Sequence, residues 1–572
     1  MQNQSFIPGK DASLESSITT LRGVLAERGF DVEEASWLNP VDAVWSVHLR
    51  DRDCPLMFSN GKGASELAAR ASALGEFVER VNSRHFWTHY YLGRTRAQGA
   101  VVHDARERWF PIDEDGAWPE GLLDETLRAH YDPDEGIDAA MLVDLNSGNR
   151  ERGICALPFT RLTDDETVWM PVNIVGNLFL SNGIAAGNTL FEARAQALSE
   201  VLERHVKYRV IAENLCLPDV PEAVLARYPA TVAGIAGLRA AGFGIVVKDA
   251  SLGGQFPVMC VALLNPKDQG LYASFGAHPN VAVALERALT ELLQGRALDA
   301  LDGFPPPAFD SDEVGSPANL EIHFVDSSGL IGWEFLRETP DFAFADWNFA
   351  GTTQTEYEWL CACIASCGKD IYALDYSHLN AYTCRMLVPG MSEVYPVEDL
   401  EWENNSIGIA LRDAVVDLHA LDEAACTRLL DDLQSSDLAD ERPLWELIGL
   451  AMPDSDPWKQ LRVGELKTLL ALAIGDAETA LEGCEWLDHF NDLPPARLAV
   501  YRCTRALLEL AERGDFTPAL VSLYGAEAVR QAQALVSQDE RFFGLCRLGH
   551  DFEGSALHQK LLRAHDKLGL VR

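Results

Sequence analysis

Residues 63–80 read GASELAARASALGEFVER and residues 187–204 read GNTLFEARAQALSEVLER. Pairing Glu76 with Glu200 also pairs Gly63 with Gly187, Ala69 with Ala193, Arg70 with Arg194, Ala73 with Ala197, Glu79 with Glu203 and Arg80 with Arg204. An internal repeat of this kind marks one structural unit used twice. Positions three and four apart share a helix face, so Glu76 with Glu79, and Glu200 with Glu203, each form a carboxylate pair that calls for a cation. In the second copy Glu192, Gln196, Glu200 and Glu203 run down one side of the helix. Phe191, Ala195, Leu198, Leu202 and Val206 run down the other and are expected to pack on a sheet. The first copy carries Ala68, Ser72, Glu76 and Glu79 along the matching stripe, so its polar face is the emptier one. A degenerate third copy, ALERALTELLQGR at residues 284–296, keeps Ala284, Ala288 and Glu291 and puts Gln294 in place of the second glutamate. It sets Arg287 where the second copy has Gln196, and a guanidinium beside carboxylates points to a bound anion.

Two helices presenting glutamate pairs from equivalent places in one fold would set four carboxylates against one another. Each close pair would repel by about 4 kcal/mol at an effective dielectric near 20. A divalent cation relieves this, and hard oxygens without His or Cys favour Mg2+. Arg80, Arg204 and Arg287 then suit the phosphates that Mg2+ commonly bridges. An ATP-dependent reaction is the sharp reading; a duplicated structural helix is the competing one. No zincin, thioredoxin-like or hydrolase-elbow motif is present.

Of 572 residues, 47% are hydrophobic and 23% charged, an ordinary globular balance over a length that suits two or more domains. The formal net charge of −40 is not ordinary. It argues against direct binding of nucleic acid, whose phosphates it would repel, and it suits metal ions or a basic protein partner, with plain solubility as the bland account. The opening MQNQSFIPGKD lacks a basic and then apolar stretch, so no signal peptide is expected, and no run of ~18 apolar residues predicts a membrane span. Twelve scattered cysteines fit free thiols in a reducing cytoplasm. Cys361, Cys363 and Cys367 fall in a predicted helix, where packing thiols are expected rather than a metal site. His205 is read as structural.

The remaining pattern alternates helices and strands, an α+β core. Helices are expected over residues 13–28, 222–228 and 231–241, and strands over 44–50, 54–58, 154–159, 168–180, 245–249, 258–264, 272–275, 371–376 and 383–388. Residues 88–150 read as a long excursion over the core. SNGKGAS (59–65) and SNGIAAGN (181–188) read as loops entering the repeat helices. SNGKGAS has Glu66 where a dinucleotide fingerprint needs its third glycine, and Gly9-Lys10 lacks the rest of a phosphate-binding P-loop, so neither identifies a nucleotide fold. From about residue 443 the pattern is wholly helical, with breaks at Gly475-Asp476 and Gly514-Asp515 of the kind that join helix-pair repeats. Domains are therefore placed at residues 1–440 and 441–572, the second an all-α helical-repeat (TPR-like) unit.

The run S-x-G-x-A-x-G-N-x-x-x-E-A-x-x-x-A-x-x-E-x-x-E-R, here residues 181–204, resembles the YcaO family, and the first and third helices look like that family's other two characteristic blocks. The likeness covers roughly residues 1–400, and with the helical extension the whole chain is similar to the family's stand-alone members. The resemblance implies an unusual ATP fold in which the repeated helices line a nucleotide cavity. Carried onto this chain, it makes Glu76, Glu79, Glu200 and Glu203 the Mg2+ ligands. It sets Asn188, Glu192 and Gln196 along the nucleotide, and brings Lys10, Ser17, Arg204 and Arg287 to phosphates or to their neighbours. It assigns no residue as catalytic.

Family members use ATP to phosphorylate a peptide amide oxygen as a nucleophile attacks that carbonyl. A Cys, Ser or Thr side chain gives an azoline, and an external sulfur source gives a thioamide. This chain departs from the azoline makers, ending KLGLVR rather than in a proline-rich tail and carrying no fused peptide-capture domain. The stand-alone subgroup is linked instead to β-methylthiolation of an aspartate in a small-subunit ribosomal protein, as an accessory to a radical methylthiotransferase. The chain has no C-x3-C-x2-C iron–sulfur motif with which to perform the radical step. The expected activity is ATP- and Mg2+-dependent activation of an amide or carbonyl oxygen, auxiliary to that modification. The ribosomal protein or peptide and the methylthiotransferase are the expected partners, and a homodimer the expected assembly. The alternatives are a nucleotide-bound scaffold that assembles a modification complex, or an azoline- or thioamide-forming enzyme on an unknown peptide.

Overall fold

The computed structural model describes residues 4–376, 379, 381–490, 493–511 and 513–569. The first three residues of MQNQSFIPGKD and the last three of KLGLVR lie outside them.

After helix α1 (Leu14–Glu27), three units follow one plan, an antiparallel sheet with a helix laid on it. The first is β1 (Val32–Val41), β2 (Val44–Asp51) and β3 (Phe58–Gly63) in that order, covered by α2 (Glu66–Asn82). The second is a six-stranded sheet. Its order runs β4 (Arg108–Phe110), β5 (Ile154–Arg161), β11 (Tyr372–Tyr376), β12 (Tyr382–Leu387), β7 (Ile184–Gly187), with β6 (Glu166–Pro171) paired to β5. Helix α3 (Leu190–Ala212) lies on it. The third is β8 (Gly244–Asp249), β9 (Val258–Leu264) and β10 (Leu271–Ala277), ordered β10-β9-β8, covered by α4 (Val281–Leu292).

The three helices start at side-chain caps. Ser65 accepts from the Ala68 N–H, Thr189 from Glu192 and Asn280 from Ala282, each satisfying a donor the helix itself cannot. The apolar stripe of α3 packs as its periodicity predicts, with Ala195, Leu198, Leu202 and Val206 in one buried cluster and Phe191 against it.

What lets each helix approach its sheet is a glycine facing small residues. A Cβ on Gly61 would stand 2.1 Å from the Ala69 carbonyl oxygen, one on Gly187 2.5 Å from the Ala193 nitrogen, and one on Gly276 2.4 Å from the Ala284 oxygen and the Ala288 nitrogen. The alanines common to the repeats are thus packing positions, all fully buried. Gly276→Ala is expected to lower the unfolding midpoint, at a cost of about 1–3 kcal/mol, because the added methyl meets backbone that cannot give way.

The structure corrects four readings. SNGKGAS is not a loop, since residues 58–63 are strand β3, and the strand expected over 54–58 is a turn closed by the Met57 N–H donating to the Cys54 carbonyl at 2.9 Å. Likewise SNGIAAGN contains β7. Small residues facing a helix backbone leave no alternation to read. The strand expected over 168–180 ends at Pro171, and the chain becomes helical through Val172–Ile174 and Val175–Phe179. Ile174, Val175, Leu178 and Phe179 are all buried in one cluster, and an apolar run does not distinguish a buried strand from a buried helix.

The excursion over 88–150 lies against the six-stranded sheet, with Phe110, Leu127, Tyr131 and Leu142 in that sheet's cluster. Cys361 and Cys363, on the helix Thr353–Ser366, and the following Cys367 are half-buried against the α3 cluster, as packing thiols.

The C-terminal part is all helix. Its core takes in Leu411 and Leu429 as well as Leu466, Cys484, Tyr501 and Val529, and Gly475, at φ 74°, ends the helix Val463–Ile474. The helix Ala556–Asp566 ties it to the first domain. The Trp87 indole N–H donates to the Leu561 carbonyl at 2.9 Å, and Arg96 pairs with Asp566 at 2.6 Å. His558 accepts from the Ala451 N–H at Nδ1 (3.0 Å) and donates from Nε2 to the Tyr91 carbonyl (2.8 Å), which requires the neutral ring. Burial pulls its pKa down to about 4, and does the same to His205, packed edge-on against Phe256. The unfolded chain takes up these protons first, near pH ~6.5. Stability is therefore expected to be complete above that pH and to fall as pH drops toward 4, by about 1.4 kcal/mol per unit for each such histidine. Urea midpoints at pH 7 and pH 5 measure this, and His558→Gln should flatten part of the slope. Among the described residues no helix is long and apolar enough to cross a membrane.

Candidate functional site

The polar faces of α2, α3 and α4 meet around a cavity of about 1210 Å³, roomier than the ~300–1,000 Å³ of an ordinary small-molecule pocket. It is lined by Lys10, Ser17, Glu76, Glu79, Arg80, Asn188, Glu192, Gln196, Glu200, Glu203, Arg204 and Arg287. Every candidate metal- or nucleotide-binding residue named from the sequence therefore lines one cavity.

At one end the N-terminal segment is tied onto the start of α3. Glu192 is 3% exposed; it accepts from the Asp11 N–H at 2.9 Å and, through both of its oxygens, from Asn188 Nδ2 (3.0 and 2.9 Å), and pairs with Lys10 at 3.2 Å. Ser17 donates to Asn188 Oδ1 at 2.8 Å. Asp11 accepts from Thr189 and Thr353. The segment passes so close to His278 that a Cβ on Gly9, at φ +75°, would lie 2.5 Å from its Nε2.

In the middle, carboxylates and guanidinia interleave. Arg80 pairs with Glu76 at 2.6 Å and Arg204 with Glu200 at 3.1 Å. Arg287 donates to Gln196 Oε1 at 2.7 Å and reaches Glu203 at 3.4 Å; Glu203 also accepts from the Ala277 N–H at 2.9 Å. Lys62, on β3, pairs with Glu291 and donates to Gln294 at 3.2 Å. Sequence reasoning passed over Lys62, because its stretch read as loop. Burial and the Arg287 charge pull the Lys62 amine down to about 8.

Glu79 is the exception. Burial, then the charges of Glu200 and Glu76, push its carboxyl well above the usual range, with Arg80 pulling the other way. Burial raises Glu200 too, with Arg204 opposing and Glu203 adding to it.

Among the described residues no three Asp, Glu, His or Cys side chains gather into a metal cage, because three of the four glutamates turn to arginines. The donor set nonetheless fits a magnesium nucleotide. The charges of two other carboxylates act on Glu79, which makes no ion pair among the described residues. Arg80 Nε, Arg204 Nη1 and Arg287 Nε are buried with no hydrogen-bond partner, an omission worth about 1–3 kcal/mol each that phosphate oxygens would supply.

Residues 60–392 match the family model described as YcaO cyclodehydratase, ATP- and Mg2+-binding, and residues 408–572 match that of the YcaO cyclodehydratase C-terminal domain. The chain is 51% identical over 574 residues to the ribosomal protein S12 methylthiotransferase accessory factor YcaO of Escherichia coli, covering 99% of this chain and 98% of that one. It is 48% identical over 578 residues, at the same coverage, to an uncharacterized protein of Haemophilus influenzae. Among solved structures it is similar to a heterocyclase in complex with substrate and cofactor, at 17% identity and a TM-score of 0.45 over 69% of this chain and 56% of that one. It is also similar to YcaO from Methanopyrus kandleri bound with AMPPCP and Mg2+, at 17% identity and a TM-score of 0.43 over 71% and 97%. The chain thus belongs to the YcaO family, with an α+β domain of the type described as ATP- and Mg2+-binding followed by the family's all-α C-terminal domain.

Proposed function

We propose that this chain binds ATP and Mg2+ in the cavity and uses them to activate an amide or carbonyl oxygen by phosphorylation, as an auxiliary to β-methylthiolation of an aspartate in a small-subunit ribosomal protein. The observation that carries the reading is Glu79 set against Glu76 and Glu200 beside three arginines with unpartnered buried N–H groups. The likeness to the ribosomal protein S12 methylthiotransferase accessory factor of Escherichia coli supports the modification, and the net charge of −40 suits a basic ribosomal protein.

In this reading Glu76, Glu79, Glu200 and Glu203 would hold Mg2+, which when bound offsets charge on the transferring phosphates. Lys10, Ser17, Asn188, Glu192 and Gln196 orient the nucleotide. Arg80, Arg204 and Arg287 donate to phosphate oxygens as charge develops on them. The protein acts in the cytoplasm as a homodimer, with a radical methylthiotransferase as its partner.

The test is calorimetric titration with AMPPCP, with and without Mg2+, followed by phosphate release from ATP in the presence of the ribosomal protein and the methylthiotransferase. Mg2+-dependent binding with release stimulated by both partners is expected. Binding with no release under any condition would favour the nucleotide-bound scaffold, and absence of binding would remove the nucleotide from the cavity.

A further inference from the structure

Helix α3 does not leave the cavity at Arg204. Lys207 and Tyr208 line the same space, roughly 22 Å beyond Glu192 at 1.5 Å of rise per residue. Tyr272, His323, Phe324 and Ser327 line the cavity as well, with Phe324 under the Arg204 guanidinium at 4.3 Å. The orienting residues lie at the Lys10 end and the arginines between, which leaves the Lys207 end for a phosphoryl acceptor.

Three lysines line the cavity, and two are paired: Lys10 with Glu192 at 3.2 Å and Lys62 with Glu291. Lys207, 9% exposed, has no carboxylate partner among the described residues. Its Nζ donates to the His323 carbonyl and, at 2.7 Å, to Ser327 Oγ, which leaves one position of the nitrogen for a ligand. A buried amine without a counter-ion is driven toward its neutral form. Burial and the Arg204 charge pull Lys207 down to about 7, against Glu203 on the same helix, Cys260 on β9 and Asp326 just past the helix Pro317–Val325. His323, on that helix, is itself kept neutral, pulled down to about 4 by burial and by Lys207. An amine poised this way accepts protons.

We infer that Lys207 is the catalytic base at the acceptor end of this cavity, taking the proton of the nucleophile that attacks the carbonyl. This rests on the ATP-dependent reading above. A thiol, hydrosulfide or water gives its proton to Nζ as its heavy atom bonds to the carbonyl carbon and the π pair moves onto oxygen. That oxygen then bonds to the γ-phosphorus of ATP as the bond from phosphorus to the β-phosphate oxygen breaks, releasing ADP. The ammonium returns its proton when the phosphorylated oxygen departs as phosphate.

The test uses the full chain and two readouts. Limiting acetic anhydride across about pH 5 to 9, with the Lys207 peptide followed by mass spectrometry, should label it with a midpoint near pH ~7, about three units below exposed lysines. A midpoint above about 9, or no labelling at any pH, would overturn the role. Lys207→Met should bind MgATP within about 2-fold of the natural chain, yet release phosphate, with water as nucleophile, about 100-fold more slowly. It should also lose the acid limb of the kcat profile, and Lys207→Arg, which cannot give up its proton, should not restore turnover. Normal release and an unchanged profile in Lys207→Met would overturn the base alone. Failure of the natural chain to bind MgATP would overturn the proposed function and this role together.

Discussion

Glu79→Gln is expected to raise the unfolding midpoint of the nucleotide-free protein while lowering its Mg2+-dependent affinity for ATP by at least about 100-fold, ~3 kcal/mol. The two effects have one cause. Burial and the charges of Glu200 and Glu76 hold the Glu79 carboxyl well above its usual range, so an amide of the same shape removes repulsion in the empty cavity and a ligand in the occupied one. A gain of ~1 kcal/mol moves the midpoint by only about 1 °C in a protein of this size, because the unfolding entropy grows with chain length. Because folding raises this acid's pKa, its contribution is lost as pH rises, and the gain should be larger at pH 8 than at pH 5. Glu76→Gln and Glu200→Gln should instead lower the melting midpoint, since each leaves Arg80 or Arg204 without its carboxylate, while weakening Mg2+-dependent binding as well. Thermal melts without nucleotide and calorimetry with it measure both sides. If Glu79→Gln melts lower and binds MgATP normally, the paired glutamates are structural.

Arg287→Ala should lower kcat for phosphate release about 100- to 1,000-fold, ~3–4 kcal/mol, as removal of a preorganised donor to a developing charge does. Its guanidinium is already aimed, by Gln196 at 2.7 Å and Glu203 at 3.4 Å, and its Nε is buried and unpartnered. No side-chain motion is then needed to receive a phosphate. Arg287→Lys should recover little, because an ammonium cannot hold Gln196, Glu203 and a phosphate oxygen from one rigid plane. Steady-state kinetics separates the outcomes. A fall confined to KM would place Arg287 in ground-state binding, and a change below about 3-fold in either parameter would remove it from the phosphates.

Helical spacing alone put Glu76, Glu79, Glu200, Glu203 and Arg287 on the faces that line the cavity, because which side chains share a helix face depends on a few neighbouring residues. Lys10 and Ser17 were reached only through resemblance: Ser17 meets Asn188 across 171 residues of chain, and no local pattern announces such a contact. Lys207 was within reach of the same reasoning, standing four residues past Glu203 on the α3 stripe, had the stripe been followed one turn more. Strand β3 and its Lys62 were hidden because Gly61 and Gly63 face helix backbone, and a strand packed that way shows no polar–apolar alternation.

By itself the sequence determined that α2, α3 and α4 are copies of one amphipathic unit, where each begins, and which side chains share each polar face. Those properties are set by residues within a turn or two of one another. Only the tertiary structure decided that the three polar faces converge, that Arg80, Arg204 and Arg287 take up Glu76, Glu200 and Glu203, and that among the described residues Glu79 and Lys207 make no ion pair. Burial and ion pairing are set by distances between segments far apart in the chain, and a carboxylate's or an amine's protonation follows from those distances rather than from its neighbours in sequence.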